Sequence, residues 1–89
     1  MSTKFIPSES VLVAHLDGEA VLLDLHTKRY FRLNETAALV WASAEASMPE
    51  ESIVARLLDA FDVSEGDATA AVATLFADLE DRSLVTRVC

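Results

Sequence analysis

Eighty-nine residues, with fifteen acidic against seven basic side chains for a net charge of −8 and 52% hydrophobic content, describe one small acidic domain spanning 1–89. It has room for a single core and little for an enclosed active-site cavity. The charge is wrong for nucleic acid or an anionic membrane and suits a neutral or cationic partner. No apolar run approaches the roughly 20 residues that cross a bilayer, MSTKFIPSES lacks the apolar core of a signal peptide, and the lone Cys89 permits no internal disulfide, so the expected compartment is the cytoplasm.

In chain order, Val11 to Leu16 and Glu19 to Leu25 flank Asp17-Gly18, a dipeptide suited to a two-residue hairpin turn because both central positions need positive φ. A polar loop around His26 to Arg29 leads to a third strand, Tyr30 to Leu33, completing an antiparallel meander with the third strand at its edge. Placing Asp24 opposite Tyr30 puts Leu12, Ala14, Val21, Leu23, Phe31 and Leu33 on the core face, and Val11, Val13, Leu22, Asp24, Tyr30 and Arg32 on the other. A four-residue loop would instead pair Leu25 with Tyr30.

At Asn34 the period changes from alternation to helical spacing. An asparagine there can accept a hydrogen bond from the first free helical N–H groups, so strand gives way to helix within one residue. The first helix is expected from about Glu35 to Glu45, burying Ala38, Leu39 and Trp41. Ser47 followed by Glu50 reads as a capping box opening a second helix that turns Ile53, Val54, Leu57, Leu58 and Phe61 inward. The third starts at Ser64, with Asp67 three residues on, and runs to about Arg82 with Ala68, Val72, Leu75 and Leu79 in one stripe flanked by Ala71 and Phe76. Leu84 to Val88 can add a short terminal strand.

Catalytic chemistry has little to stand on. The histidines, His15 and His26, fall ~20 Å apart along the hairpin, with His15 opposite Ala20. No glycine-rich phosphate loop or metal-ligand spacing is present. The carboxylates fit solvated helix faces, so no catalytic residue, metal or cofactor is expected.

The meander with three helices is an α+β arrangement like a winged helix-turn-helix. The would-be recognition helix, however, sets Glu65, Asp67, Asp78, Glu80 and Asp81 against Arg82 alone. Phosphate binding needs the opposite sign. Binding by the third strand is the stronger expectation, because Tyr30-Phe31-Arg32-Leu33 carries no proline to block its edge and could pair an extended peptide. The plainer alternative is a strand that only packs Phe31 and Leu33, its edge covered by the terminus.

The runs LLDLHTKRYFRLNETAALVW, SIVARLLDAFDVSEGDATAAV and FADLEDRSLV together resemble the PqqD-like recognition domains of ribosomal peptide biosynthesis, and look most like the stand-alone leader-binding proteins of lasso-peptide clusters. The resemblance covers Val11 to Val85 and is most specific at the aromatic pair, the Leu33-Asn34 step and Trp41. It implies a winged-helix-turn-helix-like fold, a three-stranded antiparallel sheet followed by three helices, whose third strand and third helix form a cleft for the leader of a precursor peptide. Carried onto this chain, the peptide contacts fall on Tyr30, Phe31, Arg32 and Leu33 and on Ala71, Val72, Leu75, Phe76 and Asp78. The implied partners are the precursor leader peptide, a cysteine-protease-like leader peptidase and an ATP-dependent cyclase, with no nucleic acid or membrane. The acidic surface suits a leader bearing lysine or arginine.

Two positions depart from the family pattern: Arg29 and Ser83 stand where glycine is common. The other readings are a winged-helix transcriptional regulator, and a structural subunit docking on an enzyme through Val11, Val13 and Leu22.

Overall fold

A computed structural model describes residues 3–88; Cys89 lies outside them. Five strands and three helices follow in the order β1 (Lys4–Pro7), β2 (Val11–Leu16), β3 (Glu19–Asp24), β4 (Arg29–Leu33), α1 (Glu35–Glu45), α2 (Glu50–Ala60), α3 (Glu65–Asp81) and β5 (Val85–Val88). Strands β2, β3 and β4 form the antiparallel meander, with β4 at one edge. The β2–β3 turn uses positive φ at Asp17 (51°) and Gly18 (84°), as the hairpin dipeptide requires.

A second sheet was not foreseen. β1 pairs antiparallel with β5, from Lys4 opposite Val88 to Pro7 opposite Val85. The chain ends therefore close on each other, and the outer edge of β4 stays free of backbone partners among the described residues. The alternative in which the terminus covers that edge is not what forms. Phe5 on β1 is 2% exposed and stacks on Phe76 of α3, so this small sheet is bolted to the last helix.

The expected β3–β4 register is off by one residue. Asp24 lies opposite Arg29 and Leu23 opposite Tyr30, so neither Asp24 nor Leu25 meets Tyr30. The facing of β2 and β3 is reversed accordingly. Ala20, Leu22 and Asp24 are buried, with Val11 and Val13 packed against the core, whereas Leu12 is 55% exposed. Val11, Val13 and Leu22 therefore form no external docking face. On β4 the expected facing holds, with Leu33 buried and Phe31 packed on the core.

All three helices start near their signals, but one cap differs. Asn34 Oδ1 accepts from the Ala37 N–H at 2.9 Å, and Ser64 Oγ accepts from Asp67 N–H at 3.1 Å. Ser47 is not the cap of α2. It takes φ 61° just beyond α1, where its N–H donates to Ala44 O and that of Met48 to Ser43 O. This 5→2 and 6→1 pair is the Schellman pattern that closes a helix. Pro49 is the N-cap of α2 instead, without a side-chain bond. The same closing pattern ends α3, with Ser83 at φ 60°, its N–H on Glu80 O and that of Leu84 on Leu79 O.

Trp41, Phe5, Phe76, Leu22, Ile53, Leu57 and Leu84 are the largest wholly buried side chains. They join the meander, the helices and the terminal sheet in one core.

Candidate functional site

The free edge of β4 faces the C-terminal half of α3 across a groove of about 580 Å³. Its strand wall is Tyr30, Phe31, Arg32, Leu33 and Asn34, and its helix wall is Leu75, Asp78, Leu79 and Arg82, with Glu19 and Ala37 at the ends. Alternation sets the strand wall. Phe31 and Leu33 turn toward the core, while Tyr30, 71% exposed, stands on the outer side.

Helical spacing sets the other wall. Leu75, Asp78, Leu79 and Arg82 recur at three and four residues and so share one face of α3. Leu75 is half-buried and Leu79 buried, giving an apolar floor. Arg82 Nε donates to both Asp78 carboxylate oxygens, at 3.2 and 3.3 Å, and its guanidinium lies 5.2 Å from the Phe31 ring centroid. That cation–π contact links the two walls. Above, Arg32 meets Glu19 at 3.4 Å, with both side chains well exposed; such a pair is easily broken by an incoming ligand.

Of the positions expected to touch a peptide, Tyr30, Phe31, Arg32, Leu33, Leu75 and Asp78 are brought together along this groove. Ala71 is displaced to an adjoining hollow on α3 with Ala70 and Thr74. Val72 and Phe76 need correction: both are wholly buried and their side chains serve the core, Phe76 against Phe5. The broad apolar stripe of α3 concealed this division, since core and groove residues interleave along it. Glu19, Asn34, Ala37, Leu79 and Arg82 were missed as groove residues. The i,i+4 spacing of Asp78 and Arg82 was the available signal for the last of them.

Beyond the hairpin turn, Asp24 accepts from the His26 backbone N–H at 2.9 Å. This bond, aided by Thr27 and opposed by desolvation, holds the carboxyl below its ordinary value. Among the described residues no group of histidine, cysteine or carboxylate side chains is arranged to hold a metal ion, and no helix is long and apolar enough to cross a membrane.

Residues 19–85 match the family described as coenzyme PQQ synthesis protein D (PqqD). The chain belongs to the PqqD family. No curated protein matches it. Among solved structures this PqqD-family chain is similar to TbiB1 in complex with the TbiA(beta) leader peptide, at TM-score 0.85 and 28% identity over 90% of this chain and 93% of that one. It is also similar to a lasso peptide synthetase B1 complexed with the leader peptide, at TM-score 0.84 and 26% identity over 93% and 98% of the two chains. The α+β PqqD-like fold is thus shared over almost the whole length.

Proposed function

We propose that this chain binds the leader segment of a ribosomally made precursor peptide, in lasso-peptide biosynthesis, by strand addition to β4. The groove carries the reading: an unpaired strand edge forms one wall and the Leu75–Leu79 face of α3 the other. Edge backbone groups supply affinity in such an arrangement, and pockets for alternate side chains supply selectivity. Both similar structures are leader-peptide complexes, which supports the same use here.

The protein performs no chemistry in this reading. It delivers the bound leader to a cysteine-protease-like leader peptidase, ahead of an ATP-dependent cyclase. Holding the substrate near the peptidase raises its effective concentration, with no new catalytic group required.

Amide hydrogen exchange during titration with leader peptides from precursor genes neighbouring its own tests the reading. Saturable binding with new protection at alternate amides from Tyr30 to Leu33 is expected. Absence of binding at high micromolar peptide overturns leader recognition. Binding without protection on β4 overturns strand addition.

A further inference from the structure

A second, smaller pocket of about 250 Å³ opens where β4 begins, lined by Asp24, Thr27, Arg29, Phe31 and Arg82. Phe31 and Arg82 line the main groove as well, so the two spaces adjoin. Its donors and acceptors do not balance. The Asp24 carboxylate accepts from the His26 backbone N–H at 2.9 Å and, among the described residues, forms no ion pair with either arginine. Arg82 spends only Nε on Asp78, leaving both terminal amino groups without an acceptor among the described residues. Arg29 is exposed and, among the described residues, makes no ion pair or side-chain hydrogen bond. Two guanidinium groups with spare N–H donors thus border a space whose one carboxylate pairs with neither of them.

We propose that this pocket receives a carboxylate side chain, aspartate or glutamate, of the peptide bound along β4, held by Arg29 and Arg82. The inference rests on the strand-addition reading. Side chains of an added strand alternate, and those on the side of Phe31 and Leu33 turn toward α3. One placed beside Arg29 or Phe31 reaches the pocket. Guanidinium and carboxylate match in geometry, and two parallel bonds to one carboxylate are the strong form of this contact. Asp24 in the pocket and Asp78 on Arg82 offset the two guanidinium charges locally, so the contact rests on the spare N–H donors rather than on net charge, and the rest of the −8 is screened beyond a Debye length of about 8 Å. A leader basic elsewhere still carries an acid at this one position.

Selection of a displayed random-peptide library on the full chain tests the pocket, with binders placed on β4 by amide exchange. The expected binders carry Asp or Glu at one fixed position. Changing that residue to Asn or Gln weakens binding to the unaltered protein about five- to tenfold, and less than about twofold to Arg29→Gln and Arg82→Gln proteins, where its partner is gone. Peptides on β4 without acidic preference, or an acid worth as much in both variants as in the parent, overturn the pocket and leave leader binding intact. Absence of any peptide on β4 overturns both.

Discussion

Phe5 and Phe76 stack face to face, with ring centroids 4.0 Å apart and planes 5° from parallel. One comes from the first strand and the other from the middle of the last helix, so the chain's opening residues hold the helix that lines the groove. Phe5→Ala removes a wholly enclosed ring and leaves a cavity, a change that costs about 3–5 kcal/mol. Urea unfolding should show the midpoint falling accordingly, and leader affinity should fall with it where the folded fraction does. A midpoint within experimental error of the parent would mean β1 is not tied to the core.

Leu75 and Val72 lie three positions apart on α3 but belong to different environments, one half-buried in the groove and the other fully buried. Leu75→Asp should weaken leader binding at least about tenfold with the circular dichroism spectrum unchanged, since its charge can stay in water. Val72→Asp puts the same carboxylate in the core, at a cost of several kcal/mol that approaches the whole stability of a small domain. It should unfold. Equal behaviour of the two variants in thermal melts would contradict the assignment of helix faces.

Ser83 closes α3 in the left-handed region at φ 60°, where a Cβ costs about 1–2 kcal/mol. Ser83→Gly relieves that cost at the price of a more flexible unfolded chain, so a net gain of about 0.5–1 kcal/mol is expected. A rise in thermal midpoint with unchanged leader affinity checks it.

Asp24 should show its depressed pKa directly, as a carboxyl carbon shift titrating below the ordinary value of 3.8 in the folded protein. Because the folded value is the lower one, the stabilisation is fully present above 3.8 and is lost as pH falls through the folded pKa. Asp24→Asn keeps an acceptor for the His26 N–H but no longer titrates. Its stability should consequently depend less steeply on pH below 3.8 than that of the parent. An equally steep acid limb in the variant would assign that limb to other carboxylates.

Much of the fold was legible because local signals act alone. Asn34 and Ser64 cap helices through bonds to residues three positions ahead, and Asp17-Gly18 makes its turn from its own backbone preferences. The failures share a physical cause. Leu12 and Val11, like Leu23 and Leu22, are equally apolar on opposite faces, so hydrophobic alternation could not orient β2 and β3. The turn closed by Asp24 and His26 did so instead. Ser47 looked like the start of one helix because the residues of a capping box also suit the end of another. The pairing of Lys4–Pro7 with Val85–Val88 spans nearly the whole chain, and no four-residue pattern encodes its partner. For the groove, strand alternation gave one wall, whereas separating Leu75 from Val72 and Phe76 required knowing what lay on each side of α3.

The pairing of β1 with β5 also bears on architecture at a larger scale. Lys4 and Val88 are cross-strand neighbours, so the polypeptide enters and leaves this unit at adjacent points, away from the edge of β4. Units with such neighbouring ends can be spliced into a surface loop of a host enzyme without prying that loop apart. A genetic insertion between two residues of a host enzyme would thus carry the groove intact.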